Sequence, residues 1–178
     1  MSAPLDTSVP PADSAAAFRA VMGNHYASVC LITTRLVGLC HGLTATAVSS
    51  VSADPPMLLV CVNRAGETQA AIRAAGRFCV NILGDGQEAL AQLFAGSQRA
   101  ARQQCFAGPD WRTLATGAPV HAGAVAAIDC TVAEAIDQGS HTIFIGAVAA
   151  SWEPRASPPL LYGRRGFHRL MPNTAADA

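Results

Sequence analysis

Two long runs of strand-forming residues in the second half of the chain constrain its topology more than any other feature. Residues 124–136 and 142–152 are rich in Ala, Val and Ile and carry few charges. Only a short segment that includes Gly139 separates them, and it is too short to hold the crossover helix that parallel strands need. The two runs therefore predict an antiparallel hairpin and argue against a βαβ unit.

The remaining chain reads as short strands covered by short helices. Strand-forming runs occupy residues 29–34, 43–51, 57–62, 78–83, 160–162 and 166–170. Helices are predicted at 15–22, 66–75 and 87–95, while 99–104 fit a loop or a short helix and 110–120 look irregular. Strands with a few covering helices favour an all-β barrel over a doubly wound sheet.

Composition excludes several classes of function. The 178 residues contain 51% apolar and 13% charged residues, which suits one domain at 14–171 between a disordered tail at 1–13 and a C-terminal tail at 172–178. The net charge is zero, so neither nucleic acid nor an anionic membrane is an expected partner. Every basic residue is Arg, which excludes P-loop and Schiff-base chemistry.

Cysteine usage and the N-terminus predict a cytoplasmic protein. The six cysteines form no C-x-x-C motif and no zinc-ligand spacing, so no metal site is expected. The first residues contain neither a basic n-region nor an apolar h-region, so no signal peptide is expected. No G-x-G-x-x-G follows a strand, so a nucleotide would not be held in a Rossmann site.

Residues 42–64 form the most informative candidate binding stretch. Small and hydroxylated residues fill 43–52, and a turn at Pro55-Pro56 leads into the apolar run 57–62. An apolar run of this length fits a strand buried on both faces. The preceding hydroxyl-rich loop could bind a phosphate or a flat heteroaromatic ring, or it could be an ordinary surface turn.

This stretch and four later motifs resemble the flavin reductase family of two-component monooxygenase systems. The motifs are residues 42–62, 76–83 and 93–96, Gly139-Ser140-His141, and Leu161-Tyr162 with Gly166-Phe167-His168. The likeness covers about 15–171 and is closest to the reductase partners of hydroxyphenylacetate monooxygenase and of the pyrimidine-utilisation oxygenase. Many members have Asp-His at Ser140-His141 and Asp-Arg/Lys-Phe at Gln104-Cys105-Phe106. The resemblance implies an FMN-binding split barrel of antiparallel, Greek-key strands.

The resemblance also implies a set of site residues. The candidate cofactor-binding residues are Thr44, Ala45, Thr46, Ala47, Val48, Ser49, Ser50, Cys61, Val62, Asn63, Thr68, Phe94, Arg102, Tyr162, Phe167 and His168. Thr68 stands near a helix start, which is a natural anion site. Arg102, with Arg99 as the alternative, is the candidate for the phosphate. His141 is the candidate catalytic residue, beside the nicotinamide or the flavin N5, although a lone His is more often structural.

By resemblance, the chain is an NAD(P)H:flavin oxidoreductase that supplies reduced FMN or FAD to a separate oxygenase component. NADH or NADPH would be the hydride donor, and the protein would be a homodimer. Two alternatives stay open: a flavin-binding protein of the same fold without turnover, and an oxidase that retains its flavin.

Overall fold

Antiparallel strands dominate the computed structural model of the protein, which describes residues 14–154 and 157–171. The strands are β1 (Ala27–Ser28), β2 (Cys30–Leu36), β3 (Leu39–Ala45), β4 (Val48–Ala53), β5 (Pro56–Asn63), β6 (Arg77–Ile82), β7 (Trp111–Thr113), β8 (Pro119–His121), β9 (Ala126–Gln138), β10 (His141–Trp152), β11 (Leu161–Gly163) and β12 (Gly166–His168). The helices are α1 (Ala15–Met22), α2 (Glu67–Ala75), α3 (Glu88–Ala95) and α4 (Arg99–Phe106). The tails predicted at 1–13 and 172–178 lie outside the described residues.

The main sheet has seven strands in the order β3-β2-β6-β9-β10-β5-β4, and every pair is antiparallel. The predicted hairpin is confirmed as β9–β10, whose register runs from His141 opposite Gln138 to Trp152 opposite Ala127. Two smaller sheets, β1-β11-β12 and β7-β8, complete the architecture. The predicted all-β, antiparallel class is therefore confirmed.

The two edge strands of the main sheet are joined by only two residues, Thr46 and Ala47. Because consecutive Cα atoms are about 3.8 Å apart, the end of β3 and the start of β4 lie within about 11 Å. A sheet whose opposite edges are tied this closely must curl on itself. It forms a barrel that is split between β3 and β4, and this corner positions the site described below.

Alternation along the strands creates two cores. Cys30 and Ile32 of β2 point into the barrel, where Phe78, Val80 and Phe144 are fully buried. Val29 and Leu31 point to the other face and pack against α3 and Leu160. Both faces of β2 are therefore buried at its start, which explains the apolar run from Val29 to Ile32.

The apolar run 57–62 is expected from its sequence to form a strand buried on both faces, but in the structure only one face of this strand is fully buried. In β5, Leu58, Val60 and Val62 are at most 4% exposed, whereas Met57 and Cys61 are only half-buried. The alternation arises because successive side chains of a strand point to opposite faces, and only one face of β5 lines the barrel core.

The strand predicted at 43–51 is wrong as a single element, since Thr46 and Ala47 interrupt it between β3 and β4. The Ala47 carbonyl accepts a hydrogen bond from the Cys61 amide at 3.0 Å, which fixes this corner to β5. Residues 110–120, predicted to be irregular, contain the short β7–β8 hairpin. Residues 99–104 belong to the helix α4.

The three predicted helices are confirmed as α1, α2 and α3, and each is followed by a glycine. Helix α2 begins after Gly66 and ends at Gly76, which adopts a left-handed φ of 66°. Helix α3 buries Ala91 and Phe94, three residues apart on one face. Among the described residues, no helix combines the length and apolar character required to cross a membrane.

Replacing Gly146 with Ala should destabilise the barrel. A Cβ atom there would lie 2.6 Å from a Phe78 ring carbon and 2.8 Å from the Cys130 Cβ, both in the closed core. Overpacking of this kind costs about 1 to 3 kcal/mol of unfolding free energy. Urea unfolding measures the change, with Gly96→Ala as the control because its Cβ would make only ordinary contacts of 3.5 Å or more. A Gly146→Ala protein as stable as the wild type would contradict the packing described here.

Candidate functional site

A cleft of about 930 Å³ opens at the corner where the two edges of the barrel meet. It is bounded by β3, the ends of β5 and β10, the first turn of α2, helices α3 and α4, and the β11–β12 hairpin. Its lining residues include Val29, Thr44, Ala45, Thr46, Ala47, Cys61, Asn63, Gly66, Glu67, Thr68, Ala91, Gln92, Phe94, Arg102, His141, Tyr162, Arg165 and Phe167. A cleft of this size is typical of a small-molecule site.

One wall of the cleft is made by β3 packed closely against α3. The hydroxyl of Thr44 donates to the Ala91 carbonyl of α3 at 2.7 Å, so its proton is already used. Gly42, two residues earlier on the same face, lies so close to α3 that a Cβ would be 2.9 Å from the Phe94 ring. The free hydroxyl on this face of the corner is therefore that of Thr46, which is exposed in the cleft.

The first turn of α2 gives one end of the cleft a set of groups suited to an anion. The leading amides of a helix have no partner within the helix, and Gly66 contributes no side-chain cap. Thr68 is 7% exposed and lines the cleft beside these amides. Backbone N–H groups, a hydroxyl and the positive end of the helix dipole together suit a phosphate.

Two arginines of α4 lie near this end, but they differ in their contacts. Arg99 pairs with the Glu67 carboxylate at 3.0 Å, which neutralises the acidic group in the first turn of α2. Arg102 lines the cleft, and its guanidinium donates to the Gly96 carbonyl at the end of α3. Arg102 is therefore the arginine of α4 that faces the cleft, whereas Arg99 balances charge behind it.

His141 is held at the mouth of the cleft by a braced turn. It is the first residue of β10, opposite Asn63 of β5, and its Nδ1 lies 2.8 Å from the Ser140 Oγ. The turn before it is fixed by the Arg64 amide, which donates to the Ser140 carbonyl at 2.9 Å. The imidazole is exposed, so it can reach a ligand without leaving its strand.

A charged cluster stabilises the same hairpin. Asp137 accepts a hydrogen bond from the Thr142 hydroxyl at 2.6 Å and pairs with Arg73 at 2.5 Å and Arg64 at 3.8 Å. The Thr142 hydrogen bond, followed by the two arginines, lowers the pKa of the Asp137 carboxyl. The carboxylate thus stays ionised and keeps the turn closed behind His141.

Aromatic side chains of the last hairpin form the opposite wall. Tyr162 and Phe167 meet edge to face with ring centroids 5.4 Å apart, and both line the cleft. His168 points elsewhere: its ring packs against Tyr26 at 4.8 Å, and its Nε2 lies 3.0 Å from the Gly163 carbonyl.

Most of the residues predicted from the sequence come together in the cleft. The predicted residues that line it are Thr44, Ala45, Thr46, Ala47, Cys61, Asn63, Thr68, Phe94, Arg102, His141, Tyr162 and Phe167. Those that do not line it are Val48, Ser49, Ser50, Val62 and His168. Val48 and Val62 pack on the barrel core, because alternation turns them inward, and Ser49 and Ser50 are exposed on the edge strand β4.

Sequence reasoning missed three polar residues of the cleft: Glu67, Gln92 and Arg165. Glu67 and Gln92 gave no signal, since polar residues on short helices are usually solvated. Arg165 did give one, because two consecutive arginines occupy a two-residue hairpin turn where Asn-Gly is the usual choice.

The cleft fits a flavin. Ala45 and Ala47 leave part of the cleft free of bulky side chains for a flat ring, and the α2 end suits its phosphate. Burial raises the pKa of the Cys61 thiol, so this side chain lines the slot as a neutral group. No cluster of three or more possible metal ligands occurs within 14–154 and 157–171.

Comparison with known proteins places the chain in a family. The flavin reductase like domain matches residues 22–171. The FMN reductase (NADH) RutF 2 of Methylorubrum extorquens (strain PA1) is 42% identical over 172 residues, which cover 97% of this chain and 98% of that protein.

Two solved structures have the same fold. Nitrilotriacetate monooxygenase component B from Mycobacterium thermoresistibile is 34% identical, with a TM-score of 0.82 over 92% of this chain and 90% of that chain. The NADH:FAD oxidoreductase SgcE6 of Streptomyces globisporus, solved with NAD and FAD fragments, is 32% identical, with a TM-score of 0.80 over 88% of this chain and 93% of that chain. The chain therefore belongs to the flavin reductase like domain family.

Proposed function

We propose that this protein is an NADH-dependent flavin reductase that uses FMN and releases it in reduced form. The observation that carries the proposal is the cleft itself, which joins an apolar slot to an anion-binding helix terminus. The similarity to FMN reductases that use NADH, along nearly the full length of both chains, supports the same cofactors. FAD and NADPH are the alternatives for acceptor and donor.

A flavin held in the cleft beside Ala45 and Ala47 would supply the acceptor for a hydride from the dihydronicotinamide. Such a transfer needs stacking at contact distance more than acid–base catalysis. The chain provides this by a narrow slot at Ala45 and Ala47 and by the aromatic wall of Tyr162 and Phe167. His141 at the mouth orients the donor or shields the charge that develops on the ring.

The reaction separates this proposal from its two rivals. Purified protein is mixed with NADH and free FMN, and the nicotinamide absorbance band is followed. We expect NADH to be consumed in many turnovers. A flavin-binding protein without turnover would show no decrease. An oxidase that retains its flavin would turn over, but its flavin would stay with the protein on ultrafiltration.

Thr46 offers a direct test of the slot. Replacing it with Leu puts a bulky apolar group where the structure has an exposed hydroxyl, and should raise the Kd of FMN about tenfold, which corresponds to about 1.4 kcal/mol. Fluorescence quenching on titration measures the Kd. Ser50→Leu is the matched control, because Ser50 is exposed on β4 outside the cleft. Equal affinities in the two variants would place the flavin elsewhere.

The reduced flavin is proposed to serve a separate oxygenase component. Monooxygenase component B, a solved relative, supports such a partnership. The six unpaired thiols support a reducing compartment and hence a cytoplasmic location.

We also propose a homodimer. Helix α1 buries none of its residues, and Phe18 and Val21 are 60% and 65% exposed. Tyr26 and Met171 are also exposed, at 44% and 85%. Apolar side chains of this size are typical of a surface that a second copy covers. Light scattering at micromolar concentration should give twice the monomer mass, and an active monomer would refute the proposal.

A further inference from the structure

Two consecutive arginines occupy the turn between β11 and β12 in a conformation that disfavours them. Arg164 and Arg165 have φ values of 45° and 62°, in the left-handed region. A two-residue hairpin turn of this kind normally carries Asn and Gly, which adopt positive φ at little cost. Large side chains in this conformation point to a role beyond that of forming the turn.

Arg164 has a structural role. Its amide donates to the Gly23 carbonyl at 2.7 Å, and its Nε and Nη2 donate to the Asn24 Oδ1 at 3.1 and 2.9 Å. These three bonds fix the turn to the end of α1. The position of the next residue is therefore well determined.

Arg165 has no such partner. Arg165 is exposed at the lining of the cleft, and within 14–154 and 157–171 it forms neither an ion pair nor a side-chain hydrogen bond. A guanidinium held at a cleft and left unpaired by the protein is suited to phosphate, which it can bind through two parallel N–H groups.

The charges of the cleft are arranged for two phosphate-bearing ligands. Arg102, on α4, accompanies the anion-binding end of α2 that is proposed for the flavin phosphate. Arg165 is on a separate element, in the β11–β12 turn, three positions after Tyr162 and two positions before Phe167. It thus stands beside the aromatic wall that is proposed to support stacking of the hydride donor on the flavin.

We infer that Arg165 binds the diphosphate of the nicotinamide dinucleotide and thereby holds the hydride donor against the flavin. This inference rests on the proposed function. It implies that Arg165 affects capture of the donor more than the transfer step, because the diphosphate takes no part in the reaction. It also implies that a donor without phosphate gains nothing from this residue.

The test compares two hydride donors in Arg165→Gln and the wild type at saturating FMN. NADH carries the diphosphate, and 1-benzyl-1,4-dihydronicotinamide carries no phosphate. We expect the KM for NADH to rise at least about tenfold with kcat within about twofold, while the kinetics with the benzyl compound stay unchanged. Arg112→Gln is the control, since this substitution removes the same charge from an exposed position outside the cleft.

A second variant separates binding from turn stability. Arg165→Gly relieves the positive φ, so it should raise the melting temperature while raising the KM for NADH as Gln does. Opposite effects on stability and on donor capture would show that the arginine is retained for its ligand.

Other outcomes overturn the inference. A loss of FMN affinity with unchanged riboflavin affinity and unchanged KM for NADH would assign Arg165 to the flavin phosphate. If the KM values for NADH and for the benzyl compound rise equally, Arg165 has a structural role. If the kinetics with NADH are unchanged, Arg165 has no role in the cleft. If the wild type itself fails to oxidise NADH with FMN, the proposed function fails first, and the inference fails with it.

Discussion

Replacing Thr68 with Asp is expected to weaken FMN binding by more than about a hundredfold while the fold stays intact. The new carboxylate would stand in the first turn of α2, among the free amides and beside the uncapped Gly66. A flavin phosphate carries about −1.5 to −2 charges at neutral pH. Two like charges about 4 Å apart at a protein surface repel by about 4 kcal/mol, which is enough for this loss.

The helix itself should tolerate the change, which makes the result specific. An acidic residue in the first turn interacts favourably with the helix dipole, by about 0.3 to 1 kcal/mol. Because position 68 is only 7% exposed, the partial burial of the carboxylate opposes this gain, and thermal unfolding should show at most a small loss of stability. The matched ligand is riboflavin, which has the same ring without phosphate and should bind the variant almost as it binds the wild type.

Thr68→Val completes the series, because it removes the hydroxyl without adding charge and should cost about tenfold in FMN affinity. Titration of FMN and riboflavin by fluorescence measures all three proteins. If FMN and riboflavin weaken equally in the Asp variant, the effect is not on the phosphate. If neither weakens, the phosphate lies away from α2.

The parts of the fold that the sequence predicts are those set by local signals. The β9–β10 hairpin follows from two apolar runs and a short connection, and α2 follows from Gly66 and Gly76 at its ends. The core positions Ala91 and Phe94 follow from their helical spacing. Each of these depends on residues that are neighbours in the chain.

The corner at Thr46 and Ala47 could not be predicted in this way. Their composition matches the strand residues on either side, and the break exists because two sheet edges distant in the pairing order meet there. For the same reason the sequence motif included Val62, whereas the structure turns that side chain into the core and Cys61 into the cleft. Which of two alternating residues faces a ligand is decided by the whole barrel.

The position of Arg165 at the cleft could not be predicted from the sequence either. Its turn was visible in the sequence as two arginines between two short strands, but its place at the cleft depends on the tie between Arg164 and Asn24, residues 140 positions apart. A contact between residues so far apart in the chain produces no pattern that could be recognised in the sequence.

Replacing His141 with Ala should lower NADH oxidation by roughly ten- to a thousandfold, which is about 1.4 to 4 kcal/mol of barrier. The imidazole stands at the start of β10, exposed to the cleft and oriented by Ser140 at 2.8 Å. There it can orient the nicotinamide carboxamide or shield the charge that develops on the ring. Rates are measured by single-turnover mixing of NADH with the FMN-loaded protein, so that the hydride step is observed alone.

Binding of FMN should change little in the same variant, because the anion-binding end at α2 is formed by other elements. His141→Gln should recover part of the rate, since its amide can still donate a hydrogen bond. His25→Ala is the control, as an exposed histidine that does not line the cleft. Should His141→Ala lose FMN affinity and thermal stability together while its remaining turnover is normal, the residue only holds the hairpin, and the hydride step depends on stacking alone.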